Sequence, residues 1–219
     1  MRSASTSVPH APVFDDRRDA GAALARCLED GVKSNTVVFG LARGGVEVAD
    51  VVARVLHLPL DALAVQEIGH PWHTEYALGA IAPDGIVYLR ASDGLGRDDI
   101  AAVVAAALQR AIALDRRLHT WHPPRDPVDT TCFLVDDGLA TGATMIAACR
   151  WARSHGAERV VAAVPVGAAD SIAMLEHEAD GVVCTVPVRE LGAVGAWYRS
   201  FDHVEDERVI ELISSRSIH

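Results

Sequence analysis

Residues Cys132, Phe133, Leu134 and Val135 form an unbroken apolar run that stops at two adjacent carboxylates, Asp136 and Asp137. A short run of this kind, with no polar alternation, marks a strand buried on both faces. The loop that follows, Gly138-Leu-Ala-Thr-Gly-Ala-Thr144, consists of small and hydroxyl residues, and a helical pattern runs from Ala143 to His155 before Gly156. Strand, acids, small-residue loop and helix in that order commit this stretch to an α/β layer structure. They also put both acids at the carboxyl end of the strand.

The rest of the chain repeats the alternation. Asp15–Asp30 has apolar residues at helical spacing (Ala20, Ala23, Leu24, Cys27, Leu28) and ends at Gly31. Thr36–Phe39 reads as a buried strand, Leu41-Ala-Arg-Gly-Gly45 as a tight loop, Val46–Leu56 as a helix and Leu60–Val65 as a strand. Gln66–Gly79 has mixed polarity and is expected to be a long mobile loop with a helical turn near Glu75. Ala80–Leu89 divides around Pro83-Asp84-Gly85, which signals a hairpin. A long Ala-rich helix is expected over Asp98–His119, followed by a connector stiffened by Pro123, Pro124 and Pro127. Strands at Arg159–Pro165 and Val182–Val186 flank a helix at Ala169–His177. An irregular tail around Gly192, Gly195, Trp197 and Tyr198 precedes a last helix at Glu205–Ser214.

These elements predict an open parallel sheet with right-handed crossovers and flanking helices, a small hairpin serving as a lid, and a C-terminal hood segment. Residues 1–12 are expected to be a flexible tail, and 13–219 a single domain. In such sheets ligands bind beyond the carboxyl ends of the strands, where loops 41–45 and 136–144 both fall.

Composition narrows the partners. The 219 residues carry a formal charge of -10 with no Lys/Arg stripe, which disfavours nucleic acid. No apolar run reaches membrane-spanning length, and the N-terminus lacks the apolar segment of a secretory signal. The four cysteines form no C-x-x-C pair and sit in apolar segments, so buried free thiols in the cytoplasm are expected.

The loop after Val135 carries the chemistry. The backbone N–H groups of residues 139–144 are expected to converge on one phosphate at the helix N-terminus. Gly138 and Gly142 relax the backbone there, and Thr141 and Thr144 add hydroxyls. A Walker loop is excluded because its Lys is absent. Asp136 and Asp137 lie where vicinal hydroxyls of a ribose would sit beside that phosphate. In the second loop Arg43 is a forked donor suited to diphosphate oxygens, and Gly44 and Gly45 allow close backbone approach. The competing reading is a plain turn with a solvated arginine.

The run Cys132–Thr144 resembles the ribose-phosphate signature of type I phosphoribosyltransferases. The resemblance implies a Mg2+-dependent transfer of phosphoribosyl from 5-phosphoribosyl 1-pyrophosphate to a nucleobase, amine or hydroxyl acceptor. It gives Asp136 and Asp137 the ribose hydroxyls and the metal, and Gly138, Leu139, Ala140, Thr141, Gly142, Ala143 and Thr144 the 5′-phosphate. Ala42, Arg43, Gly44 and Gly45 correspond to the pyrophosphate loop. Phe14-Asp-Asp-Arg17, Asp19-Ala-Gly21, Leu41–Val46, Glu75–Ile81, Ala193-Val-Gly195, Trp197-Tyr198 and Phe201 resemble a bacterial subgroup of that family whose acceptor is unassigned. A homodimer is compatible with the resemblance.

The chain departs from the subgroup at Gln66 and Glu67, where a basic pair is expected. Glu67 is either a general base near the reacting carbon or a solvated loop residue. Glu75 either caps a helical turn or meets Mg2+ through water. Trp197 and Tyr198 either stack on a flat acceptor or pack the tail onto the sheet. His70 and His73 lack a visible third ligand and are not read as a metal pair. The same fold also serves regulatory proteins that bind the donor or a nucleotide without turnover, and Gln66 and Glu67 are the residues that favour this alternative.

Overall fold

A computed structural model describes residues 11–73, 76–90 and 94–215. The expected flexible tail, apart from Ala11 and Pro12, and the roles considered for Glu75 therefore fall outside the described residues.

Five strands form the central sheet: β1 (Thr36–Leu41), β2 (Leu60–Leu63), β6 (Thr131–Val135), β7 (Arg159–Ala168) and β8 (Gly181–Val188). Their order is β2-β1-β6-β7-β8, and every pairing is parallel. β1 and β6 lie side by side in the middle, with Val38 opposite Phe133 and Gly40 opposite Val135, and every residue of both is buried. That burial explains the apolar runs Val37–Phe39 and Cys132–Val135, because helices cover both faces.

On one face α1 (Arg17–Leu28), α2 (Gly44–Val55) and α6 (Asp206–Ser214) close a core containing Leu24, Val38, Val46, Phe133 and Val209. On the other face α4 (Ala143–Ser154) and α5 (Ala169–Leu175) close a second core around Phe39, Leu134, Met145 and Leu175. The start of α1 is fixed by Asp16, whose Oδ1 accepts from the amides of Arg18 (2.8 Å) and Asp19 (2.9 Å).

The expected loop Gln66–Gly79 is instead mostly strand. β3 (Gln66–Gly69) and β4 (Ala77–Ile81) pair antiparallel, and β4 pairs with β5 (Val87–Leu89). β3 shows one buried apolar residue, Ile68, between exposed or half-buried neighbours. Its strand conformation comes from pairing with β4, a tertiary effect that local pattern does not carry. β4 is buried throughout, between α3 (Arg97–Leu118) and α4. The β4–β5 hairpin turns at Pro83-Asp84-Gly85 as expected, with Gly85 at φ 94°. The expected strand ends also shift: β7 runs on to Ala168, because Val166–Ala168 keep pairing with β8.

Cys132 and Cys149 are buried free thiols, whereas Cys27 is exposed and Cys184 half-buried, which corrects the expectation for those two. Cys27 lies at an apolar-periodic position of α1 but outside its buried set.

Phe133 is fully buried between the central strands and α1 and α2. Phe133→Ala should lower the unfolding free energy by about 4 kcal/mol with an unchanged urea dependence, read from urea titration followed by circular dichroism.

Candidate functional site

The adjacency of β1 and β6 brings their carboxyl-end loops together. The Ala42–Arg43 peptide is cis, and α2 starts at Gly44. A side-chain carbon on Gly44 would stand 2.0 Å from Asp137 Oδ2, and one on Gly45 2.7 Å from the Val135 carbonyl oxygen. Only glycine lets the first turn of α2 lie against the two acids. The glycines expected to admit a ligand therefore also admit the neighbouring loop.

Asp137 is held from three directions. Its Oδ2 accepts from Arg17 Nε at 2.8 Å, its backbone carbonyl accepts the Tyr198 hydroxyl at 2.6 Å, and its amide donates to Asp136 Oδ1 at 2.9 Å. Arg17 is nine-tenths buried, at 8 % exposure. Its Nη1 donates to the Asp202 carbonyl at 2.8 Å and lies 3.7 Å from Glu47 Oε2, and its guanidinium stacks 3.8 Å over Phe201. Burial and the neighbouring Asp137 charge push the Asp136 carboxyl well above the usual carboxylate range. Burial also raises Asp137, against the opposing charge of Arg17. Burial, then the Asp137 charge, raises the Tyr198 hydroxyl, which stays a proton donor.

The phosphate-sized loop is anchored at both ends. Leu139 is buried, donates its amide to the Val166 carbonyl at 2.9 Å and accepts from the Ala168 amide at 3.0 Å. Its N–H is therefore committed to the sheet, which removes it from the expected set of phosphate donors. Ser171 Oγ donates to the Ala140 carbonyl at 2.6 Å. Gly142 takes φ 77° and caps α4. The amide of Ala143 donates to Thr141 Oγ1 at 3.4 Å. Among the described residues, the amides of Ala140 and Thr141 in the loop have no acceptor, and neither do those of Gly142 and Thr144, which the start of a helix leaves free. Two carboxylates thus stand beside a cluster of free N–H donors. Carboxylates of this kind can accept from hydroxyls, and free amides at a helix N-terminus can receive an anion with the help of the helix dipole.

Arg43 does not reach the acids. Its guanidinium pairs with Asp206 at the start of α6, which also takes Arg117 Nη1 at 3.2 Å. It borders two cavities. One, of about 400 Å3, is walled by Arg17, Gly44, Phe201, Asp202 and Val204; the other, of about 260 Å3, by Gln66, Arg110, Arg117 and Asp206. Glu67 lines neither, and it is exposed in β3. That exposure accords with the solvated reading of Glu67.

Trp197 and Tyr198 are buried with Phe14 against β7, and Trp197 Nε1 donates to the Leu191 carbonyl at 3.0 Å. They pack the hood, and no face is left for a ligand to stack on. His70 is buried with its ring 4.9 Å from that of His73, and neither reaches the acids. The sequence reading missed Arg17 and Phe201 as parts of the site. The available signal was Arg17 at the first helical position behind a capping aspartate, a long cation aimed into the fold.

The phosphoribosyl transferase domain family matches residues 16–190. A Mycobacterium tuberculosis (H37Rv) protein named a putative phosphoribosyl transferase is 43% identical over 205 residues, 92% of this chain and 46% of that protein. The chain thus spans about half the length of the curated relatives it matches. The crystal structure of TT1426 from Thermus thermophilus superposes with a TM-score of 0.79 at 36% identity, covering 93% of this chain and 98% of the other. AQ2163 from Aquifex aeolicus shares the fold, with a TM-score of 0.50 at 14% identity over 78% of this chain and 74% of that one. This chain belongs to the phosphoribosyl transferase domain family.

Because Arg17 is the counter-charge of a buried acid pair, Arg17→Met should cost about 3 kcal/mol of stability, measured by urea unfolding at neutral pH. Tyr198→Phe, which removes one hydrogen bond and no charge, should cost about 1 kcal/mol in the same assay.

Proposed function

We propose that this family member binds 5-phosphoribosyl 1-pyrophosphate and transfers its phosphoribosyl group to a small acceptor. The observation that carries the reading is the succession of two carboxylates and a loop of free amides that leads into α4. A ribose 5-phosphate presents vicinal hydroxyls and a dianion at matching ends. Asp136 and Asp137 would accept from the hydroxyls, and Ala140, Thr141, Gly142 and Thr144 would donate to the phosphate.

In the transfer, the bond from C1 to the pyrophosphate oxygen breaks and its electron pair leaves with pyrophosphate. An acceptor nitrogen or oxygen forms the new bond to C1 from the opposite face, and its proton passes to solvent. The task left to the protein is positioning and charge stabilisation. Arg43 sits one residue before Gly44 and, released from Asp206, would meet the diphosphate. The raised Asp136 and Asp137 carboxyls suit a cation, and their hard oxygen donors fit Mg2+. When bound there, that ion would offset the charge of the leaving diphosphate. Arg17 keeps Asp137 oriented while Asp136 stays less constrained.

The acceptor class is a nucleobase, amine or hydroxyl compound. Among the described residues no helix is long and apolar enough to cross a membrane, and none of the cysteines is paired, which suits a cytoplasmic protein acting on free metabolites. The reading takes 13–219 as one domain. Binding without transfer is the second reading, favoured by the exchange of basic residues for Gln66 and Glu67 and by the engagement of Arg43 with Asp206.

Asp137→Asn should weaken binding of 5-phosphoribosyl 1-pyrophosphate by about tenfold to a hundredfold in calorimetric titration, the scale of a charge-assisted hydrogen bond. Unchanged affinity would remove the donor-site assignment. Pyrophosphate release tested across a panel of bases and amines separates the two readings: turnover with one acceptor supports transfer, and tight binding with none supports the regulatory protein.

A further inference from the structure

A cluster at the sheet edge takes no part in the proposed transfer. Asp61 stands in β2 opposite Phe39, away from the strand ends that carry the candidate donor site, and is almost wholly buried at 1% exposure. Its Oδ1 accepts the Ala62 amide at 2.8 Å and faces His119 Nε2 at 3.1 Å, and its Oδ2 accepts the Arg125 amide at 2.6 Å. His119 closes α3, and three residues later His122 begins the proline-rich connector. One ligand atom from each of Asp61, His119 and His122 lies within 4.8 Å of the other two.

The ring nitrogens are arranged for a cation. His119 Nδ1 lies 3.0 Å from the Asp115 carbonyl and 3.1 Å from Asp115 Oδ1. His122 Nδ1 lies 3.2 Å from the Pro123 carbonyl. With an acceptor facing each Nδ1, a neutral ring at either position would carry its proton there and present a lone pair at Nε2. A neutral His119 would then point that lone pair at a carboxylate oxygen, a contact that either a proton or a metal ion between them resolves. A proton on His119 would answer that contact alone. It would leave His122 Nε2, which is buried and has no hydrogen-bond partner. A metal ion accepts all three donors at once.

We propose that Asp61, His119 and His122 form a site for a divalent transition-metal ion of the zinc type, separate from the phosphoribosyl site. Two imidazoles and one carboxylate are a borderline-to-hard donor set suited to such an ion. Bonds near 2.0–2.1 Å in a tetrahedron set neighbouring ligand atoms about 3.3 Å apart, close to the separation already present between Asp61 and His119. Asp115 behind His119 is the outer carboxylate that commonly orients a metal-bound imidazole. Asp61 and His119 also border a cavity of about 300 Å3 shared with Arg125, Trp151 and His155, which leaves a fourth position for water or a small ligand. The ion would tie the end of α3 and its connector to β2. The inference does not depend on the transfer reading.

The test is titration of the full chain with Co2+, read by its visible d–d absorption. The wild type is expected to bind one ion through nitrogen and oxygen ligands, without thiolate charge-transfer bands. His122→Ala should weaken binding by at least about 100-fold, and Asp115→Asn by about tenfold. His73→Ala, in the other histidine pair, should leave it unchanged. Circular dichroism verifies that each variant is folded. Absence of d–d absorption in the wild type, a His122→Ala variant that binds as tightly, or loss of binding in His73→Ala would each overturn the proposal.

Discussion

The ion pair between Arg17 and Asp137 is the contact on which the candidate site depends. Two adjacent carboxylates at the end of a buried strand repel each other and resist burial. Arg17 supplies the compensating charge, and it comes from the first turn of α1, far from the acids in sequence. The same guanidinium reaches the Asp202 carbonyl and stacks on Phe201. One side chain therefore joins α1, the acid loop and the C-terminal hood. The glycines at 44 and 45 complete the arrangement by letting α2 lie against it.

The central architecture could be read from the sequence because burial on both faces leaves a simple trace. Thr36–Leu41 and Thr131–Val135 are buried throughout and carry the apolar runs Val37–Phe39 and Cys132–Val135, since helices cover both sides of the sheet. The Pro83-Asp84-Gly85 turn was legible because turn geometry is set by a few residues. β3 was not, because Gln66-Glu-Ile-Gly69 shows one buried residue and takes its shape from a partner strand. Local pattern reports only what neighbours in sequence decide.

The site was legible to the same degree. Asp136, Asp137 and the small-residue loop stand in one continuous stretch, so their proximity came free. The commitment of the Leu139 amide to Val166 depends on the extension of β7, and the turn of Arg43 toward Asp206 depends on where α6 lands. Neither is written near those residues. Trp197 and Tyr198 carried a true ambiguity, since an aromatic beside glycines looks the same whether it packs or binds. Their burial with Phe14 resolves it toward packing.

The hood also bears on the order in which the molecule forms. Arg17 and Asp202 are 185 positions apart, and Phe14 pairs with Tyr198. Contacts between such distant residues close a large loop, whose entropy must be overcome before they contribute. The strands and their crossover helices are joined by shorter loops and can assemble first. By this entropy argument the acid pair stays without its counter-charge until the two ends of the fold meet, and the pocket is expected to mature after the sheet.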